Sequence, residues 1–202
     1  MTNTTTTTTT RRAAFAVIAV ATAAMFAGCG TTTEESVPDG GTPPTSTSTP
    51  AATVCTDRID PNTGTDTCDV DAVLAGAADA LYSYRPAEQT QKGVNIDSAA
   101  TLLNPAWVRE LGVSYSALAP VTGADWDRWA ATGLAVDAEA NVTPDDHPAD
   151  TIALARRVVA VHQSIVDSGG AEVDELTPIA LYMTATRANA LAGWSVSGIT
   201  VR

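Results

Sequence analysis

Acid–base chemistry near neutral pH needs side chains that exchange protons there, and this chain offers two unperturbed ones, His147 and His162. His147 sits between Pro144 and Pro148, among Asp145, Asp146 and Asp150, and reads as part of a solvated acidic loop. His162 falls in a β-branched run, beside Val161 and Gln163. On the concave side of a sheet, with Tyr82 or Asp79 nearby, it would make a pair suited to isomerisation or dehydration. The other reading is a surface or satisfied core histidine. Arg156 and Arg157 are adjacent, so on a strand they point to opposite faces. One is expected on the packed side, paired to a carboxylate or reaching into a pocket. Trp126 and Trp129 have the spacing of a buried helical face, with a ligand platform as the alternative. Tyr82, Trp126, Trp129, Arg156 and His162 are the candidate pocket residues. No catalytic residue is assigned: Gly-x-Ser-x-Gly, a Gly-rich phosphate loop and His-Glu-x-x-His are all absent from the sequence.

Composition narrows the field further. The 202 residues carry 11 basic and 23 acidic side chains, a net charge of −12. No basic stripe exists to displace counterions, so nucleic acid is not an expected partner. Three cysteines are too few for a four-ligand zinc site. The run Asp60-Pro61-Asn62-Thr63-Gly64-Thr65-Asp66 faintly resembles a calcium loop, but no Glu closes it, and its residues are common turn formers. Neither a metal nor a cofactor is expected.

The N-terminal quarter has its own grammar. Arg11-Arg12 precedes an apolar run, Ala13 to Gly28, too short to span a bilayer, and small residues lead to Cys29. Residues 1–28 read as a signal peptide. Phe26-Ala27-Gly28-Cys29 resembles a bacterial lipobox, with Phe26 in place of the usual Leu. That resemblance implies cleavage before Cys29 and lipidation of its thiol, a membrane anchor on the extracytoplasmic face of the cell membrane. Loss of Arg11 and Arg12 would leave nine basic residues against 23 acidic, a net charge of −14. Residues 29–53 form a Thr/Pro/Ser-rich tether with too little apolar surface to fold. The folded domain is placed at 54–202. Outside the cytoplasm Cys55 and Cys68 are expected to form a disulfide, stabilising by roughly 2–3 kcal/mol in the chain-entropy model.

The elements that would position the candidate residues follow from periodicity. Apolar spacing predicts a helix over Val70–Tyr84, ended by Arg85-Pro86. Short helices are expected at Asp97–Leu103, Ala106–Leu111 and Ala124–Ala131, with Pro105 as a start and Gly112 as a stop. Alternation then predicts strands over Gly133–Val142, Thr151–Val166, Leu176–Ala188 and Trp194–Val201, with a turn at Asp167-Ser168-Gly169-Gly170. The expected class is α+β, with N-terminal helices packed on a curved four-stranded antiparallel sheet.

Ala80-Leu81-Tyr82-Ser83-Tyr84-Arg85-Pro86, the long hairpin and Trp194-Ser195-Val196-Ser197-Gly198-Ile199 together resemble an NTF2-like (cystatin-like α+β) domain. The version in question is that of actinobacterial lipoproteins, similar in layout to accessory domains of conjugation machinery. The resemblance implies a cone-shaped fold and a non-catalytic interaction or scaffolding role with an unidentified protein partner, accessory to a transfer or secretion apparatus. A small apolar ligand in the cone is the alternative, and an isomerase or dehydratase a more distant one. Replacing Cys29 by Ala is expected to move the protein from the membrane fraction to the soluble fraction. Continued retention would contradict lipidation.

Overall fold

The computed structural model describes residues 55–56 and 58–202; the expected signal peptide, Cys29 and the whole of the expected tether lie outside them. The described chain is α+β, with four α-helices followed by a five-stranded antiparallel sheet.

Helix α1, Val70–Tyr82, begins where the Asp69 carboxylate accepts the Asp71 and Ala72 N–H groups. Its buried stripe, Val73, Leu74, Ala77, Ala78 and Leu81, has the expected helical spacing. The helix ends earlier than the pattern predicts. Tyr84 leaves it to exchange backbone hydrogen bonds with Val136, Tyr84 N–H to Val136 O at 2.8 Å and Val136 N–H to Tyr84 O at 2.9 Å. Helix α2, Ile96–Ala99, runs into a 3-10 turn over Ala100–Leu102. Helix α3, Pro105–Leu111, is capped by Asn104 and stopped by Gly112 at φ 54°, a conformation that disfavours side chains. A 3-10 segment, Gly112–Leu118, which periodicity missed, then leads to helix α4, Gly123–Thr132, capped by Thr122.

Strands β1 (Ala135–Val142), β2 (Leu154–Val166), β4 (Ile179–Thr186) and β5 (Ser195–Val201) lie side by side in that order. The short strand β3, Glu172–Glu175, pairs with the end of β2 through Ser164, Ile165 and Val166. The sheet therefore has five strands, and the expectation of four is corrected. The return limb starts at Glu172 instead of Leu176 and is interrupted before Ile179. Pro178 has no N–H to give the ladder, which accounts for the break. All four residues of β3 are exposed, so no apolar alternation marked it. Leu176 N–H to Gln163 O at 2.9 Å keeps the limb attached across the gap.

One sheet face carries Val136 and Ala140 of β1, Val159, Val161 and Ile165 of β2, and Leu181 and Met183 of β4, in one core with the buried stripe of α1. The staple joins Cys55 to Cys68, Cα atoms 5.4 Å apart. Within the loop it closes, the Asp60 carboxylate accepts Asn62 N–H, Thr63 N–H and Thr63 Oγ1–H. Burial alone would raise that carboxyl; the donors from Thr63, Thr101 and Asn62 outweigh it and hold it below its ordinary value. The segment is thus a turn closed on its own carboxylate.

β1 is an edge strand, yet its outward donors at Val136, Ala138 and Ala140 are taken. Ala138 N–H donates to Ser83 Oγ at 3.1 Å, and Ala140 N–H donates to Asp79 Oδ1. Burial raises the Asp79 carboxyl above its ordinary value; the Ala140 N–H opposes the rise and the Glu139 charge adds to it. Asp79→Ala is expected to cost about 1–3 kcal/mol by orphaning Ala140 N–H. Asp79→Asn keeps an acceptor and sheds the desolvated charge. The folded pKa is raised, so wild type loses stability as pH climbs from the unfolded value of about 4 through the folded one. Melting curves should show Asp79→Asn gaining on wild type over that rise. An Asp79→Asn variant as unstable as Asp79→Ala would refute this account.

Candidate functional site

The five candidate pocket residues divide between two sides of the sheet. Tyr82, Trp126 and Trp129 are buried in the core. Tyr82 Oη–H donates to Leu118 O at 3.1 Å, tying the end of α1 to the segment before α4. Tyr84 bridges the cluster, its ring centroid 6.4 Å from Tyr82 and 5.5 Å from Trp126. Burial pushes both tyrosine hydroxyls well above their ordinary range; the neighbouring Tyr84 adds to the rise for Tyr82, and the Gln163 amide partly offsets it for Tyr84. Arg156 and His162 occupy exposed positions of β2, out of phase with buried Ala155, Arg157, Val159, Val161 and Gln163. Strand alternation keeps these two side chains away from Tyr82. The register partner of His162 is Glu139, and the two make no ion pair.

Arg157 takes the packed side and is fully engaged. Its Nε donates to Asp71 Oδ1 at 2.8 Å, and its two terminal nitrogens grip Asp150 through a pair of 2.8 Å bonds. Nη1 also donates to Arg156 O at 2.9 Å and lies 3.2 Å from His147 Nδ1. The guanidinium fork thereby joins the start of α1 and the 143–150 loop to β2. Hydrogen bonds from Arg157 hold the Asp150 carboxyl below its ordinary value, against burial and with help from the charges of Arg157 and His147. The same hydrogen bonds raise Arg157, although burial opposes the rise.

Two of the concavities are lined by candidate residues. The first is a cleft of about 410 Å³ between α4 and the β3–β4 connection. Val121, Trp129, Ile165, Leu176 and Ile179 give it apolar walls, Gln163 also lines it, and Asp125, Arg128, Asp174 and Arg202 are its charged lining residues. Arg128 is held by Asp125 at 2.8 Å. The second is a depression of about 290 Å³ beside the Asp146–Pro148 loop, lined by Arg156, Val158, Tyr182, Thr184 and Thr200. Tyr182 is 50% exposed there, with the Arg202 guanidinium 5.4 Å from its ring centroid. Gln163 and Tyr84 were not singled out in the sequence. The available signal was a Gln within a β-branched run: a polar side chain on a packed strand must find partners.

Among the described residues no three His, Cys, Asp or Glu side chains are grouped to hold a metal, and no helix is long and apolar enough to cross a membrane. His147 lines the open depression together with Asp146, and His162 lines neither concavity.

Arg157→Ala is expected to cost about 2 kcal/mol: it strands two carboxylates, and their partial exposure limits the loss. Arg157→Lys should recover less than half, since an ammonium lacks the fork. Asp150 has a lowered folded pKa, so this contribution is complete above about pH 4 and disappears as pH falls through the folded value. Acid-unfolding curves of wild type and Arg157→Ala should therefore converge at low pH; a constant gap would refute the ion-pair origin. Comparison with family models, curated proteins and solved structures finds no match for this chain.

Proposed function

We propose that this chain is a lipid-anchored extracytoplasmic protein whose domain acts by binding another protein, as an accessory to a membrane-embedded transfer or secretion apparatus. The single observation carrying this reading is the exposed position of Tyr182, Arg156 and His162 on the sheet face opposite the core, while the interior is filled by Tyr82, Tyr84, Trp126 and Trp129. A half-exposed tyrosine beside arginine is the composition that protein interfaces favour. The element order, helices first and an antiparallel sheet after, supports reading the fold as an NTF2-like cone with α1 laid across a curved sheet. The anchor rests on Cys29 and the apolar run before it. Isomerase or dehydratase chemistry is not proposed, because His162 stands on the exposed face, remote from Tyr82 and Asp79.

The test is site-specific photocrosslinking in intact membranes of the native host. A benzophenone side chain replaces Tyr182 in one variant and exposed Glu110 of α3 in another. The expected result is a discrete adduct from position 182 and none from position 110. Equal labelling at both positions, or none at 182, would overturn the reading.

A further inference from the structure

We propose that β5 is the contact edge of a homodimer: two copies of this chain pair their β5 strands antiparallel and join their sheets into one. The proposal stands on the backbone of β5 and is independent of what the outer sheet face binds. β5 pairs with β4 in the register Tyr182↔Thr200 and Met183↔Ile199. Arg202 N–H donates to Ala180 O at 3.0 Å, which sets the phase of the ladder. Facing residues of an antiparallel pair alternate between those that exchange hydrogen bonds and those that do not. Gly198, Thr200 and Arg202 therefore turn their backbone groups to β4, and Ile199 and Val201 turn theirs outward. Cover at this edge lies at its start, where Leu103 bridges to Val196 and Asn104 N–H donates to Val196 O at 2.7 Å. The Ser195 and Ser197 hydroxyls bond toward β4, to Thr186 O and Thr184 O. Among the described residues nothing bonds to the outward groups of Ile199 and Val201.

The two long edges of the sheet differ. β1 is bonded along the end of α1 and carries Asp137 and Glu139. β5, Ser-Val-Ser-Gly-Ile-Thr-Val, has neither charge nor proline, the usual devices against edge pairing. Its irregularity, opposite Thr184 and Ala185, lies toward the covered start. The sequence of β5 points to a second copy as the occupant, because the strand is complementary to itself. The antiparallel register that satisfies the outward groups of both residues sets Ile199 of each copy against Val201 of the other, about a two-fold axis through Thr200. Ile199 and Val201, half-buried at the margin of the core, then cover one another on the inner face. On the outer face exposed Thr200 meets Thr200 of the second copy, a favourable cross-strand pair. Arg202 stands opposite Gly198, which has no side chain to oppose it. No like charges face each other along the paired strands.

The test is sedimentation velocity of the full chain over a concentration series, in about 0.15 M salt to screen its net charge of −12. Wild type is expected to dimerise with a dissociation constant on the order of 10–100 μM, as suits a small interface. Thr200→Lys and Thr200→Glu each set like charges opposite one another and should weaken the dimer about tenfold. A one-to-one mixture of the two variants should restore dimers, because position 200 of one copy faces position 200 of the other. Amide exchange on wild type reads the same contact without a substitution. The Ile199 and Val201 amides should exchange more slowly as protein concentration rises, while the Thr200 amide, already bonded to β4, changes less. Wild type that stays monomeric at about 1 mM would overturn the proposal. So would a mixture no better at pairing than its components, or exchange at Ile199 and Val201 that is independent of concentration. Should a Thr200 variant fail to fold, the wild-type sedimentation and exchange still decide.

Discussion

An edge strand has a row of backbone donors and acceptors that must go somewhere, and in this protein the end of α1 takes those of β1. Asp79, Ser83 and Tyr84 receive the N–H groups of Ala140, Ala138 and Val136 in turn. Arg85 Nη1 adds a bond to Val136 O at 2.9 Å. The chain between α1 and its departure for α2 is thus held along the strand, which blocks pairing with a foreign strand on that side. Much else depends on this contact. It sets where α1 stops, it places Tyr82 and Tyr84 against α4, and it brings Tyr82 O within reach of Gln163 on β2.

Two buried polar groups extend the same logic across the sheet. Gln163 ties the C-terminal half of β2 to the last turn of α1, and Arg157 ties the other half of β2 to its first turn through Asp71. The helix is therefore fastened to one strand at both ends by side chains that would be costly to leave unpaired. Between those fastenings apolar packing suffices: Val73, Leu74, Ala77 and Ala78 meet Val159, Val161 and Leu181 with no polar atom to satisfy. The Cys55–Cys68 staple serves a different end. It secures the start of the folded domain, which also bonds through Cys55 N–H to Ala190 O and through Trp194 N–H to Thr67 O.

These constraints separate the two surfaces of the sheet. The inner one is consumed by α1 and the aromatic cluster, apart from the cleft beside Trp129 that Gln163 also lines. The outer one keeps Arg156, His162 and Tyr182 in solvent.

Periodicity and punctuation in the sequence were enough to determine the α+β class, the start of α1 at Asp69, the Asn104–Pro105 start of α3, the Gly112 stop of α3 and the long β2 strand. Those features are local, set by caps, glycine conformation and side-chain alternation within a few residues. Pairing of Cys55 with Cys68 followed from cysteine number and spacing. The early end of α1, strand β3 and the grouping of the site residues were decided only by tertiary structure. Ser83 and Tyr84 continue a helical pattern until β1 offers them backbone partners, and Glu-Val-Asp-Glu becomes a strand because the end of β2 has an open edge. Tyr82, Trp126, Trp129, Arg156 and His162 looked like one pocket in the sequence. Strand alternation, once the register was set, sent Arg156 and His162 to solvent and turned Gln163, a residue with no motif around it, toward the core.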